Sequence, residues 1–137
     1  MDYLDTGKYS LSKVADKYVL VVIYSDQELT GKEIPIVLDF FSQFSGRVPV
    51  LVNRKGHYSL STGAQLAFIK HAKKLFSAMA FVDNTPLQRG ITKIASITYL
   101  KDLPVKSFAD SESAENWLKH YGPIPPAFPV AQDTNVD

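Results

Sequence analysis

An uninterrupted apolar run, YVLVVIY at residues 18–24, limits the choice of fold more than any other part of the sequence. The run is rich in β-branched residues, and it is too short to cross a bilayer, which takes about 20 residues. It predicts a strand that is buried on both faces and therefore lies in the interior of a sheet. A second extended segment at residues 10–15 precedes it, and Asp16 and Lys17 between the two predict a tight antiparallel hairpin.

Four helices are predicted after the hairpin, three of them from capping boxes. In a capping box, a hydroxyl and a side chain three residues later satisfy free amides at the start of a helix. The boxes are Thr30-x-x-Glu33, Thr62-x-x-Gln65 and Thr85-x-x-Gln88, and the fourth helix begins near Asp110 and Ser111. The third helix has an apolar stripe that is expected to cover the sheet, formed by Leu87, Ile91, Ile94 and Thr98.

Short strands are predicted between the helices, at residues 48–52, 78–82 and 104–108. The resulting order, β-β-α-β-α-β-α-β-α, predicts an α/β domain with a mixed, mostly parallel central sheet of about five strands, an N-terminal β-hairpin and four flanking helices. The residues expected to be largely buried in this domain are Val22, Val50, Leu51, Phe81, Val82 and Trp117.

Residues 1–121 are predicted to form this single domain, and residues 122–137 to form a Pro-rich extended or disordered tail. The tail holds four of the eight prolines, two aspartates and no basic residue. Segments of this composition bury little apolar surface, so the tail is expected to contribute little to the stability of the fold.

Composition argues against several classes of function. Fifteen Lys and Arg against fourteen Asp and Glu give a formal charge of +1, without the basic excess on which nucleic-acid binding depends. The absence of cysteine removes disulfides, thiolate metal sites and cysteine nucleophiles. His57, His71 and His120 do not have metal-ligand spacing, and no glycine-rich phosphate loop occurs, so neither a metal nor a cofactor is expected. No secretory leader or spanning segment is recognised, which favours a cytoplasmic protein without integral membrane association.

Several segments resemble STAS-like (SpoIIAA-like) domains, which have the fold of the anti-sigma-factor antagonists. They are the hairpin and the stretches PVLVNRKGHYSLSTGAQLAF, SAMAFVDNTPLQRGITKIAS and PVKSFADSESAENWLKHY. The sequence is most similar to small stand-alone bacterial members of uncharacterised function, and the similarity covers about residues 9–121. This resemblance implies a non-enzymatic module that recognises a protein or a small ligand. It also makes Ser61 and Thr62 candidate phosphorylation sites, although Leu60 stands where the antagonists have an acidic residue.

Two loops at predicted carboxyl ends of strands hold the candidate binding residues, because open parallel sheets bind ligands at that edge. The candidates for binding a ligand or a partner are Asn53, Arg54, Lys55, His57, Ser61, Thr62, Asp83 and Arg89. Helix amides together with Arg54, Lys55 and Arg89 can receive a phosphate or carboxylate; the alternative is that the hydroxyls only cap helices. His57, Ser61 and Asp83 are the only set from which a catalytic triad can be assembled, but no nucleophile elbow accompanies them and no enzyme is predicted.

Three functions follow from these residues. The leading interpretation is a regulatory or protein–protein interaction module with an unidentified protein partner, and a homodimer remains open. The alternative is a small-molecule or lipid-binding protein with an apolar pocket formed by Phe44, Phe68, Ile97 and Tyr99. The third is a small hydrolase that uses His57. The second helix also carries Lys70, Lys73 and Lys74 on one face, which is either a solvated surface or a contact for an acidic partner or anionic lipid.

Overall fold

A computed structural model describes residues 1–98 and 100–126, and the predicted α/β class is confirmed. The strands are β1 (Tyr3–Asp5), β2 (Tyr9–Val14), β3 (Tyr18–Ile23), β4 (Glu28–Leu29), β5 (Val48–Arg54), β6 (Ser59–Leu60), β7 (Phe76–Asp83) and β8 (Val105–Phe108). The α-helices are α1 (Ile34–Phe41), α2 (Thr62–Leu75), α3 (Pro86–Ile97) and α4 (Ser111–Leu118), and short 3-10 turns occupy Gly31–Glu33 and Lys119–Tyr121.

The main sheet has six strands in the order β1-β2-β3-β5-β7-β8. Strands β1, β2 and β3 pair antiparallel, whereas β3, β5, β7 and β8 pair parallel. The predicted hairpin is confirmed, since Val14 pairs with Tyr18 and Tyr9 with Ile23. Strand β3 lies between β2 and β5, which is the interior position predicted for the apolar run. Two further strands, β4 and β6, form a separate small parallel sheet that the sequence did not reveal.

Helices α1, α2 and α3 cover one face of the main sheet. Each of these helices lies in one of three successive crossovers, from β3 to β5, from β5 to β7 and from β7 to β8. All three crossovers advance in the same direction across the sheet, so right-handed connections place their helices on the same face. Phe41 of α1, Ala72 of α2 and Ala95 of α3 accordingly share one apolar core with Val50 and Phe81 of the strands.

Helix α4 covers the opposite face and forms a second core. Ala114 and Leu118 of α4 pack there with Leu51 and Ala80, whose side chains alternate with those of the first core along β5 and β7. The two cores together explain why the central strands are apolar without a break. The sheet is buried on both sides wherever a helix lies above it and another below.

Four of the six residues predicted to be buried are buried, namely Val50, Leu51, Phe81 and Val82. The prediction was wrong for Val22 and Trp117, which are only half-buried. Helix α4 lies over β5 and β7, so the end of β3 that carries Val22 extends beyond its cover. Trp117 packs at the margin of the second core, with its ring centroid 5.7 Å from that of Phe108.

The helices begin close to the predicted positions, but the caps differ in detail. Ser61 rather than Thr62 caps α2, since its Oγ accepts a hydrogen bond from the amide of Ala64 at 3.1 Å. Thr85 caps α3 as predicted, and α4 begins at Ser111. The first predicted box caps the 3-10 turn that precedes α1 rather than α1 itself.

Residues 122–126, the start of the predicted tail, pack against the domain. Ile124 is buried, and its amide donates to the carbonyl of Asp16 at 2.8 Å. The amide of Ser45 donates to the carbonyl of Pro126 at 3.0 Å. This part of the segment therefore belongs to the folded body, while the predicted tail at residues 127–137 lies outside the described residues, as does Tyr99.

Candidate functional site

Two of the predicted site residues form a buried ion pair at the carboxyl ends of adjacent strands. Arg54 ends β5, Asp83 ends β7, and the two stand opposite each other in the parallel register. Arg54 is 7% exposed and Asp83 1%, and the Arg54 Nη1 lies 2.9 Å from the Asp83 Oδ1. Because Asp83 compensates the charge of Arg54, the predicted anion site depends on Lys55 and Arg89, which are both exposed.

Hydroxyl groups that sequence reasoning missed complete the surroundings of Asp83. The Thr92 hydroxyl of α3 donates to the Asp83 Oδ2 at 2.6 Å and accepts from the Arg54 Nη1 at 2.7 Å. The Ser107 hydroxyl of β8 donates to the same carboxylate oxygen at 2.7 Å. Asp83 is thereby held by hydrogen-bond partners from β5, α3 and β8, as a buried carboxyl group requires.

Gln88 adds a second set of hydrogen bonds around Arg54. Its backbone carbonyl accepts from the Arg54 Nη1 at 3.2 Å, and its side-chain oxygen accepts from the amide of Asn84 at 2.7 Å. The guanidinium also lies 4.2 Å from the ring centroid of Phe81, and its Nε donates to the Tyr58 hydroxyl at 3.1 Å. We call Arg54, Asp83, Gln88, Thr92 and Ser107 the buried polar network. A signal for it existed in the sequence, since two polar residues four apart, Gln88 and Thr92, share one face of α3.

The three residues of the candidate triad are not joined. The backbone amide of His57 donates to the Asp26 Oδ1 at 2.8 Å, and the Ser61 hydroxyl serves as the cap of α2. Among the described residues, no hydrogen bond links His57 to Ser61 or to Asp83. The carboxylate of Asp83 instead accepts hydrogen bonds from Arg54, Thr92 and Ser107.

The other predicted residues lie around the network. Thr62 and Arg89 are exposed at the starts of α2 and α3, and Ser61 is half-buried with its amide donating to the Leu29 carbonyl at 2.9 Å. The Asn53 Oδ1 is buried and has no hydrogen-bond partner within the described part of the chain.

Gly56 fixes the loop that carries several of these residues. Its amide and that of Lys55 both donate to the Ile23 carbonyl at 2.9 Å, which holds the loop against the end of β3. A Cβ atom at position 56 would lie 2.8 Å from the carbonyl carbon of Tyr24, closer than real Cβ contacts allow. Only glycine permits this approach of backbone to backbone.

The outer face of α3 is the largest correction to the sequence analysis. The stripe that was expected to cover the sheet points away from it, since Leu87 is 72% exposed, Ile91 46% and Ile94 60%, and Thr98 is exposed as well. Ile97, beside the predicted stripe, is 68% exposed. The buried side of α3 consists instead of Gln88, Thr92 and Ala95. In this orientation α3 supplies Gln88 and Thr92 as hydrogen-bond partners for Arg54 and Asp83. We call Leu87, Ile91, Ile94 and Ile97 the α3 outer face.

The surroundings of the α3 outer face are basic. Helix α3 exposes Arg89 and Lys93 and contains no Asp or Glu. Helix α2, on the same side of the sheet, exposes Lys70 and Lys74, together with Lys73 in an ion pair 2.7 Å from Asp102, and contains no carboxylate either. One side of the domain therefore combines exposed aliphatic groups with an excess of positive charge.

An apolar cavity of about 150 Å³ lies between the main sheet and helices α1 and α2. Phe68 contributes to its wall as predicted for an apolar pocket. Phe44 instead belongs to a cluster of phenylalanine rings in the core, Ile97 is exposed, and Tyr99 lies outside the described residues. A pocket exists, but other residues form most of it.

Residues 1–98 and 100–126 contain neither a candidate metal site nor a helix that could span a membrane. No group of three His, Asp or Glu side chains has the arrangement needed to hold a metal ion. No helix in these ranges combines the length and the apolar character that crossing a bilayer requires.

The architecture is that of a SpoIIAA-like domain. The crystal structure of an uncharacterised protein of the DUF3478 family from Shewanella loihica PV-4, which has a SpoIIAA-like fold, matches this structure with a TM-score of 0.57. The two chains are 20% identical over 80% of this chain and 91% of that chain. At the level of sequence, residues 19–122 match the family described as "Domain of unknown function (DUF7793)", and the chain belongs to that family. No protein with a curated description matches the chain.

Proposed function

We propose that the chain is a non-enzymatic, regulatory protein-binding module and that the α3 outer face is its interaction surface. The observation that carries the proposal is the exposure of four large aliphatic side chains along one helix, at positions 87, 91, 94 and 97. Single exposed aliphatic residues are normal on a soluble domain, but a contiguous apolar stripe is typical of an interaction site.

The charges around the stripe define the chemistry of the partner. Arg89 and Lys93 flank the α3 outer face, and no acidic side chain of α3 opposes them. A partner that covers the stripe and also pairs these cations needs an amphipathic helix with apolar residues on one face and Asp or Glu beside them. Affinity for such a partner depends mainly on the buried aliphatic groups, whereas the charges raise the association rate and make it sensitive to salt.

Ser61 supplies the proposed point of regulation. Its hydroxyl caps α2, and a phosphate at this position would bring about −1.5 to −2 charges to the basic side of the domain. That charge would weaken electrostatic attraction of an acidic partner. Ser61→Asp retains the capping function, so it should preserve the fold while reducing the affinity of the partner for the domain.

Photo-crosslinking in cells tests the proposal directly. A photoreactive p-benzoylphenylalanine replaces Ile91 on the α3 outer face, and a matched control replaces the exposed Asn116 on α4. We expect position 91 alone to give an adduct, and the crosslinked peptide of the partner to carry apolar residues at helical spacing with Asp or Glu beside them. With the purified partner, Arg89→Glu combined with Lys93→Glu should lower the affinity by tenfold or more at low salt.

Three outcomes would contradict this function. The first is an equal yield of adducts at positions 91 and 116. The second is an adduct at position 91 that forms only with another copy of the chain. The third is binding of the domain to vesicles of anionic phospholipid that is abolished by the same two charge reversals, because it would assign the surface to a membrane.

A further inference from the structure

We infer that the cavity between the main sheet and helices α1 and α2 binds a small flat ring that carries one N–H or O–H donor, and that Glu33 accepts the hydrogen bond from that donor. This site shares no residue with the α3 outer face, so it does not depend on the proposed protein-binding function. The chemical class of ligand follows from the volume of the cavity, the composition of its wall and the position of Glu33.

Volume and wall composition limit the size and polarity of the ligand. The cavity measures about 150 Å³, and aliphatic and aromatic side chains from β2, β3, β5, β7, α1 and α2 form nearly all of its wall. Apolar cavities of about this volume stay dry and take up molecules such as benzene. A ring system of one or two rings fits this space, whereas a long acyl chain does not.

Among the residues that the structure describes, Glu33 is the only acidic one on the wall. It is 9% exposed and lies in the 3-10 turn before α1. Its Oε1 accepts from the Tyr9 hydroxyl at 3.2 Å, and its Oε2 accepts from the Lys8 Nζ at 3.1 Å. A carboxylate can accept about four hydrogen bonds, so two protein donors leave it able to accept another from a ligand.

Tyr9 strengthens this arrangement because it remains a donor. Burial of the phenol, and secondarily the negative charge of Glu33, raise the pKa of Tyr9 well above its ordinary value. The hydroxyl therefore stays protonated at neutral pH and donates to the Glu33 carboxylate. The polar end of the cavity is then an acceptor that favours a neutral donor group on the ligand over an anion.

The polar end also lies where ligands usually enter sheets of this kind. Leu29 and Leu60, from the small sheet of β4 and β6, line the cavity beside Glu33. These residues follow the carboxyl ends of β3 and β5, the edge at which open parallel sheets bind ligands.

Nuclear magnetic resonance of the full chain with labelled Ile, Leu and Val methyl groups tests the inference, with indole and indene as probes. Indene has nearly the shape of indole but no N–H donor. We expect indole to shift the methyl signals of Val21, Ile23, Val50 and Val52, with a dissociation constant of about 1 mM or lower. Indene should bind about tenfold more weakly, which is the ratio expected for one hydrogen bond.

Matched variants locate the site and the acceptor. Ala67→Phe fills the cavity and should abolish the shifts, whereas Leu66→Phe, one residue away on the exposed side of α2, should leave them unchanged. Glu33→Met should make indole and indene bind equally, and Glu33→Gln, which retains an acceptor, should restore part of the preference.

The inference is overturned if saturating indole leaves these methyl signals in place, or if indene binds wild type as tightly as indole. The second comparison uses only wild-type protein, so it decides the question even where a variant fails to fold. Loss of partner binding at the α3 outer face would leave these results unchanged, which keeps the two proposals separable.

Discussion

Helices α3 and α4 lie on opposite faces of one sheet and orient their large apolar residues differently, α4 toward the sheet and α3 toward solvent. Helix α4 follows the usual pattern, with Ala114 and Leu118 buried and Glu112 and Asn116 in solvent. Helix α3 buries polar groups and exposes aliphatic ones along the α3 outer face. Both helices are amphipathic, so amphipathicity alone does not decide which side of a helix faces the core.

The surface beneath each helix accounts for the difference. Helix α4 lies over Leu51, Ala80 and Val82, whose apolar side chains pack against apolar residues of α4 and need no hydrogen-bond partner. Helix α3 lies beside Arg54 and Asp83, whose buried polar atoms form hydrogen bonds with Gln88 and Thr92 of α3. A buried polar atom left without a hydrogen-bond partner destabilises a protein by about 1–3 kcal/mol, and by more where it is charged. Each aliphatic side chain of the α3 outer face that stays in water forgoes about 1.5–3 kcal/mol of burial, so a partner that covered this face would recover part of that free energy. The polar side of α3 faces inward, where it supplies these hydrogen bonds, and its apolar stripe is exposed.

The largest effect is expected where the buried polar network is broken. Asp83→Ala should lower the free energy of unfolding by about 4 kcal/mol, because Arg54 would remain buried without its counter-charge. Urea denaturation followed by circular dichroism measures the change. Removing both charges in Arg54→Met with Asp83→Leu should be less destabilising than Asp83→Ala alone. A double variant that is less stable than Asp83→Ala would show that the unpaired charge of Arg54 is not the main cause of the loss.

A matched pair of truncations compares the two helices directly. Leu118→Ala on α4 should destabilise by about 3 kcal/mol, since it leaves a cavity in the second core. Ile94→Ala on α3 should change stability by less than about 0.5 kcal/mol, because the side chain is exposed. Similar losses at both positions, measured by the same denaturation, would mean that the α3 outer face is covered in solution.

Ile124 offers a further contrast with the exposed isoleucines of α3, because it is buried although it lies beyond the last helix. A chain that ends at Tyr121 should lose about 2 kcal/mol of stability through exposure of Ile124 and loss of the hydrogen bonds of residues 122–126. A chain that ends at Pro126 keeps these contacts and serves as the control in thermal denaturation. Equal melting temperatures for the two truncated chains would show that these contacts add nothing.

A smaller loss of stability than that of the truncation at Tyr121 is expected at Thr92, on the polar side of α3. Thr92→Val keeps the shape but removes the hydroxyl from Asp83 and Arg54, and should destabilise by about 1–2 kcal/mol. Thr92→Ser retains the hydroxyl and should restore most of that loss, apart from the missing methyl group. If the two variants are equally stable, the hydroxyl is not needed and the polar side of α3 faces inward for another reason.

The fold was largely predictable because its strands and helix starts carry strong local signals. The apolar run of β3 and the caps Thr85 and Asp110 placed these elements within a residue or two. Strand β1 and the small sheet of β4 and β6 were missed because two or three residues are too few to show alternation.

The candidate site was predictable only in part. Position at the carboxyl ends of strands identified Arg54 and Asp83, since that edge follows from chain order. Their pairing, and the contributions of Thr92 and Ser107, depend on the rotation of α3 and on contacts between elements far apart in sequence. Periodicity reports two faces of a helix but not which of them lies against the sheet. The cavity beside Glu33 was missed for the same reason, because the residues that form its wall come from six strands, two helices and a 3-10 turn.

The strand order of the main sheet also has a consequence for folding kinetics. Read across the sheet, the order β1-β2-β3-β5-β7-β8 never reverses, so each strand pairs with the main-sheet strand that comes next along the chain. Each pairing closes one hairpin or one crossover, and the entropy of loop closure is incurred in small successive steps. Such topologies have low contact order for a mainly parallel sheet, and they fold faster than sheets whose central strands come from distant parts of the chain. Growth outward from the β2–β3 hairpin is the sequence of events that this order favours.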